Sequence, residues 1–444
     1  MSLSSSLSLL LSSSIPSSIF GTIGSLFIHT AGVQSGWFDL FVFLKLKQSP
    51  NWSAVGNIYR ELIATHPELR KCFHVPNHWE NSCWHDIEDS VLKNEINRVC
   101  NSLINGETLA NLKQNKILVN SPLPLRITRI GQDELVIIVD HRLTNGLGAL
   151  AWGELLLSKI CKIYEELPST LAIRKKTIDY DEKVTVSKLH LSRLLLYLAY
   201  FSIINLFSRS KTIDLSSEKK VTYPTNKTSL ECYNFIHTFT ENETFYIINK
   251  VKNENKTLTV YFTDLLLSCI FELFPLSGDR ISVCIPSDSH KTNNVHILEP
   301  GNFTTSIILQ SFRKKQLFPS IKRQLSYWLK FNLPQTLISV LYKTIKSPKK
   351  FFTSMLKTAK LPISQRGVFS NYTVSVSNMG VIHHPSLVAN VSEIQFYSIV
   401  PNLILISYTF NSRLYVNFSF DRRSYEIAEI ELLFNTFRKR VHLF

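Results

Sequence analysis

ELVIIVDHRLTNGLG, residues 134–148, decides how this chain is read. The apolar run at 135–139 predicts a buried strand. Asp140 and His141 follow, and then a turn carrying Asn145, Gly146 and Gly148. From 147 to 164 the run LGALAWGELLLSKICKIY predicts a strongly apolar helix. A histidine where a buried strand ends ahead of a helix can face a cleft. There its near-neutral pKa suits it to take a proton from a hydroxyl or an amine. A lone histidine is by default a satisfied structural residue, so the pattern needs support from the rest of the chain.

Two rival patterns lie close by. His85 and Asp89 form an equal His-x-x-x-Asp, but they sit in the polar, Trp-flanked HWENSCWHDIEDS at 78–90. With no strand before it and no glycine after it, that segment reads as a solvated loop. Gly146-x-Gly148-x-x-Ala151 approaches a dinucleotide fingerprint, whose first glycine has to sit at the strand-to-helix turn. Here residues 140–145 intervene, and no strand ending in an acid follows the helix.

Outward from this motif, strands and helices alternate. Residues 38–46 (FDLFVFLKL) read as a strand and 53–65 as a helix that ends before His66 and Pro67. Strands at 125–130 and 134–139 meet around Gly131 and Gln132. Residues 167–228 read as a crossover containing LLLYLAYFSIINLF at 194–207. That run is shorter than the roughly twenty residues a bilayer requires, and a buried or interfacial helix is expected. Helices follow at 241–252, capped by Thr240, and at 258–274. Strands are expected at 280–285, 371–377, 394–399, 404–410 and 413–420. A last helix runs from about 425, with acids at its start and bases at its end, as the helix dipole prefers. The expected organisation is a Ser-rich tail (1–35), a first domain with the His motif (36–175), a crossover (176–228) and a second domain (229–444).

The 444 residues suit two domains, and 44% hydrophobic with 19% charged residues excludes a disordered polyelectrolyte. Seven widely spaced cysteines without a C-x-x-C pair argue against a disulfide framework or a zinc cage, and no metal is expected. The net charge of +15 is concentrated: residues 300–392 hold 13 Lys+Arg and no Asp or Glu. The first 44 residues hold no base and a single acid, Asp39. Bases at 300–392 alternate with Ile321, Leu325, Trp328, Leu329, the run 337–342, Phe351 and Phe352, the pattern of helices lying on an anionic membrane surface. No nucleic-acid recognition module accompanies the charge, so nucleic acid is not expected as a partner.

At this point the chain resembles the coenzyme-A-dependent acyltransferases, which include chloramphenicol acetyltransferase and the condensation domains of peptide synthetases. It is most similar to the fungal alcohol acetyltransferases. LIATHPELR (62–70) looks like that family's helix before its "hP-L" turn, and PLPLRITRI (122–130) like the strand entering the His motif. TVSVSNMG (373–380) looks like its "SN-G" strand end, and FSFDRRSYE (418–426) like the strand and turn before its last helix. The resemblance implies an α/β (α+β) fold of two chloramphenicol-acetyltransferase-like domains, each a mixed sheet covered by helices, with a tunnel between them. It further implies His141 as general base, with acetyl-CoA as co-substrate and no permanently bound cofactor. Ser375, Ser377, Asn378 and Gly380 would line the acyl-CoA side, with Ser375, Ser377 or the Asn378 amide as an oxyanion donor. The acceptor would be a hydrophobic alcohol or long-chain amine. The protein would be a monomer inside the cell, peripheral to the endoplasmic reticulum membrane or lipid droplets, or else cytoplasmic. Three features depart from the family. Asn145 replaces an Asp that pairs with an Arg, which leaves open a weak or inactive member that binds a lipid-like molecule. IPSDSH (285–290) is less basic than in relatives, and the Ser-rich start is unlike theirs.

Overall fold

The computed structural model describes residues 39–74, 83–106, 121–160 except 142, 189–200 except 191 and 198, 213, 215, 232–288 except 276–277, 304–313, 320–336 except 335, 373–398, 403–421 and 425–442. The Ser-rich start, most of the crossover, and the hydrophobes at 337–342, 351 and 352 lie outside the described residues.

In chain order the first half runs β1 (Asp39–Leu46), α1 (Trp52–Thr65), a 3-10 turn (Pro67–Arg70), β2 (Lys71–His74), β3 (Cys83–Asp86), α2 (Asp89–Asn105), β4 (Leu125–Ile130), β5 (Glu134–Asp140) and α3 (Gly146–Ile160). The second runs β6 (Cys232–Thr238), α4 (Glu241–Asn253), α5 (Leu258–Leu273), β7 (Arg280–Asp288), β8 (Thr304–Phe312), α6 (Ile321–Lys330), β9 (Val374–Val381), α7 (Pro385–Asn390), β10 (Val391–Ser398), β11 (Leu403–Phe410), β12 (Arg413–Asp421) and α8 (Ile427–His442).

Local chemistry explains the element ends. The Asn51 side chain accepts the Ser53 and Ala54 amides and starts α1. Thr240 and Glu243 form a reciprocal capping box on α4, and Thr257 caps α5. The β4–β5 hairpin turns at Gly131, whose φ of +63° is the left-handed conformation that a glycine adopts without penalty.

A four-stranded sheet runs β10-β1-β5-β4, and every pair in it is antiparallel. Along β5, Leu135, Ile137 and Val139 enter a core with α1, α2 and α3, while Val136, Ile138 and Asp140 point to the other face and are also buried. Gly153 lets α3 approach the sheet, since a Cβ there would lie 2.9 Å from Ile137 Cδ1. The larger sheet runs β6-β12-β11-β9-β7-β8 and is mixed, because β9 lies parallel to both β11 and β7. One face packs on α4, α5, α6 and α8 through residues such as Leu405, Val416, Phe418, Leu266 and Phe437. The opposite face, with Ile404, Ile406, Tyr408, Phe410 and Tyr415, joins the core of the four-stranded sheet. Sheet membership departs from chain order at β10, which follows β9 in sequence yet pairs with β1.

Three expectations are corrected. The segment around His85 is not a loop: β3 pairs in register with β2, and α2 begins at Asp89, although His85 itself is exposed. The strand expected at 371–377 instead spans Val374–Val381 and continues through the SNMG residues. The apolar side of α6 does not face a membrane, because Ile321, Leu325 and Trp328 are 4%, 8% and 1% exposed, and only Leu329 of the four points outward. Period alone shows that a helix has an apolar side and not what covers it. Among the described residues no helix is long and apolar enough to cross a membrane. Replacing Trp328 by Ala is therefore expected to cost about 3–5 kcal/mol in urea unfolding, and Leu329→Ala no more than about 0.5 kcal/mol. Equal costs would return α6 to the surface.

Candidate active site

β5 delivers His141 one residue past its last ladder pair. The backbone then turns tightly: the Leu143 and Thr144 amides both donate to the Asp140 carbonyl, at 2.9 and 3.3 Å. Asn145 is buried and opens α3 as its N-cap, its Oδ1 accepting the Gly148 amide at 2.8 Å. His141 Nδ1 lies 3.0 Å from the Thr144 carbonyl oxygen. A carbonyl only accepts, so Nδ1 carries the hydrogen and the lone pair of the neutral ring sits on Nε2. Burial pushes the His141 pKa below the ordinary histidine value, and the carbonyl hydrogen bonds and nearby Asp140 oppose that shift. The ring is thus neutral at physiological pH, in the tautomer with a basic Nε2.

The strand end expected nearby meets the helix start after His141 through one residue. Met379 reaches the His loop, where a Cβ on Gly146 would lie 3.0 Å from its Cε. Alternation along β9 puts Ser375 and Ser377 on the same side as Met379, with Ser375 buried and Ser377 half-exposed. Val374 and Val376 point the other way, into the helix-covered core. The Asn378 amide is engaged locally: Nδ2 donates to Thr259 Oγ1 at 3.2 Å, and Oδ1 accepts the Gly380 amide at 3.0 Å. Gly380 has a φ of +73°, so Asn378 braces a turn that needs glycine. The structure therefore brings Met379 against Gly146, at the start of the helix that follows His141, with Ser377 and Ser375 farther down the same side of the strand.

Several residues that the sequence reading passed over support this place. Arg126 on β4 is 1% exposed and donates through Nη2 to Asp39 Oδ1 on β1, itself 8% exposed. Asp39 stands directly opposite Asp140, the residue before His141. Two buried carboxylates facing each other across a ladder repel, and the Arg126 guanidinium offsets that repulsion. Glu154 of α3, 2% exposed, accepts the Ser386 and Leu387 amides at 2.9 Å each. It thereby holds the start of α7, just beyond β9, against the helix that begins at the His loop. Asp39 stands out in the sequence as the single acid of the first 44 residues, though nothing there names its partner; nothing local marks Glu154.

A cavity of about 370 Å³ opens at the start of α5, lined among others by Lys252, Lys256, Thr257, Val260 and Lys322. Thr257 and Val260 flank Thr259, the residue bonded to Asn378, so the cavity lies next to the support of the β9 turn. Another, of about 350 Å³, lies between α1 and α2 beside Arg60 and Lys93.

No family model and no curated protein matches the sequence. Solved structures match over nearly its whole length. A trichothecene 15-O-acetyltransferase from Fusarium sporotrichioides aligns with a TM-score of 0.60 at 12% identity, covering 94% of this chain and 93% of that one. The polyketide synthase associated protein 5 from Mycobacterium tuberculosis gives 0.57 at 13%, covering 93% and 96%. The condensation domain of a monacolin K polyketide synthase gives 0.54 at 11%, covering 96% of each. The fold is the one these acetyltransferase and condensation domains share. It has two domains, its sheets are covered by helices, and identities this low establish the fold alone.

The ion pair behind the histidine yields a double-mutant test. Asp39→Asn alone is expected to lose about 3–5 kcal/mol by leaving Arg126 buried against a neutral partner. Adding Arg126→Met is expected to recover most of that loss in urea unfolding. A single mutant as stable as wild type would show that the pair contributes nothing.

Proposed function

We propose that the protein is an acyl-CoA-dependent acyltransferase, similar to the fungal alcohol acetyltransferases, that moves an acetyl group to a hydrophobic alcohol or long-chain amine. The observation that carries this reading is the His141 tautomer at the junction of the two sheets: Nδ1–H on the Thr144 carbonyl and a basic Nε2. In the proposed reaction Nε2 takes the proton of the acceptor hydroxyl or amine as its oxygen or nitrogen attacks the thioester carbonyl. The tetrahedral oxyanion then collapses, the carbon–sulfur bond breaks, and the imidazolium returns the proton to the CoA sulfur. No covalent enzyme intermediate is formed. Ser377 is the favoured oxyanion donor, since it shares the Met379 side of β9 and is half-exposed, whereas the Asn378 amide is occupied in bracing Gly380. Acyl-CoA would enter from the α5 side, its phosphates at the cavity lined by Lys252, Lys256 and Lys322, and the acceptor would approach His141 from the other side. Lys322 is the one of these three from the acid-free stretch.

A non-catalytic, lipid-binding role was suggested by Asn145 standing in place of Asp. The observed use of Asn145 favours a working enzyme. Its side chain caps α3, which Asn and Asp do equally well, so the exchange leaves the helix start behind His141 intact.

Turnover with an acetyl-CoA and alcohol or amine series tests the proposal. His141→Ala is expected to lower kcat by about 10²–10⁴-fold, and CoA release unaffected by it would reject the mechanism. The base must be neutral, and burial holds its pKa below the ordinary value. Activity should accordingly be level above neutrality and decline only as pH falls below about 6.5. A decline already complete at pH 7 would contradict the buried neutral ring. Asn145→Asp should change kcat/KM by less than roughly threefold, the size of a cap exchange. A large gain would instead identify a decayed enzyme.

A further inference from the structure

Two histidines from distant parts of the chain meet at the edge of the larger sheet. His237 sits on β6, the edge strand, and His442 is the last residue of α8, 205 residues later. Their Nε2 atoms lie 3.3 Å apart. The buried Phe239 ring packs against both imidazoles, with centroids at 4.6 and 5.0 Å, and so limits how far either can turn. Glu243 of α4 is fixed by its capping box, Oε2 accepting from the Thr240 amide and hydroxyl at 2.7 and 2.8 Å. Its Oε1 lies 3.3 Å from His442 Nδ1.

Those positions settle the hydrogens. A carboxylate only accepts, so His442 carries hydrogen on Nδ1, and in its neutral form the lone pair on Nε2 points at His237. His237 then donates its Nε2 hydrogen across the gap. Burial, with Arg438 and His442, pushes the His237 pKa below the ordinary histidine value, and Glu243 opposes that shift. Moving the single bridging hydrogen to His237 Nδ1 leaves two lone pairs converging on one point.

The separation fits one coordination geometry. Zinc bonds imidazole nitrogens at about 2.0–2.1 Å in a tetrahedron, which sets two such ligands about 3.3–3.4 Å apart. Neighbouring ligands of an octahedron at about 2.1 Å would stand only about 3.0 Å apart. A carboxylate on the far nitrogen of a liganding histidine is the usual orienting partner of such sites. The His442 and Glu243 side chains are 36% and 40% exposed, so an ion reaches the pair from solvent. Among the described residues no group of three His, Cys, Asp or Glu side chains forms a cage, so water would fill the remaining positions.

We propose that His237 and His442 are the two protein ligands of an exchangeable zinc-class divalent cation, that Glu243 is their positioning residue, and that the ion fastens the end of α8 to the β6 edge. The inference goes beyond acyl transfer and uses no residue of the His141 site. The spacing of the cysteines could not reveal it, because the ligands are histidines brought together by folding.

Zinc titration of the full-length, chelator-treated protein tests it, by equilibrium dialysis and thermal unfolding, with magnesium as the hard-cation control. Wild type should bind one more zinc equivalent than His237→Gln or His442→Gln, and zinc but not magnesium should raise its Tm. Glu243→Gln keeps a residue suited to the capping box and should weaken that equivalent about tenfold. Arg438→Gln should tighten it by removing a nearby positive charge. His442 is exposed at a helix end, so His442→Gln should fold like wild type without zinc. Equal zinc stoichiometry in wild type and His442→Gln would overturn the proposal by assigning the binding to other side chains. A wild-type Tm that saturating zinc leaves unchanged would overturn it as well.

Discussion

The pairing of β1 with β10 is the constraint on which the rest of the molecule depends. β9 ends at Val381 in the six-stranded sheet, β10 begins at Val391 in the four-stranded one, and β11 returns to the first at Leu403. The chain therefore stitches the two sheets together within a few dozen residues. Glu154 holds the first stitch, its buried carboxylate taking two amides at the start of α7. A carboxylate at that depth would be costly without such partners. Since α3 carries Glu154 and begins at the His loop, the same contact brings the end of β9 over Gly146. The approach of Met379 to that glycine follows from the stitch.

The site that results uses backbone rather than a carboxylate to set its histidine. The Thr144 carbonyl selects the tautomer, burial keeps the ring neutral, and the helix cap at Asn145 holds the turn that carries both. The ionic part lies one step back, where Arg126 and Asp39 steady the strand end from which His141 leaves. This division explains how an asparagine can stand in the motif: helix capping requires an oxygen acceptor and no charge.

Much of this was legible in the sequence where the governing forces are local. The hairpin at 125–140, the capping box at Thr240 and the turn-to-helix start at Asn145 all rest on hydrogen bonds or periodicities spanning a few residues. The histidine was singled out by its strand-then-helix context, and the structure places it there. Legibility failed where a face needed a partner. Helix α6 has the period of a membrane-lying helix, yet Trp328 packs beneath Tyr197 of the crossover. β3 looked like a loop because its four residues gain order only by pairing with β2.

The sequence by itself determined most of the elements flanking the His motif, the histidine at the end of a hydrophobic strand, and the concentration of positive charge in one acid-free stretch. Only the tertiary structure decided which sheet β10 joins, which apolar faces are covered, and where the buried charges are satisfied. The physical reason is distance along the chain. Arg126 meets Asp39 across 87 residues, and Ser386 meets Glu154 across 232. Contacts closed over such separations leave no periodic trace in the residues between them, so only folding reveals them.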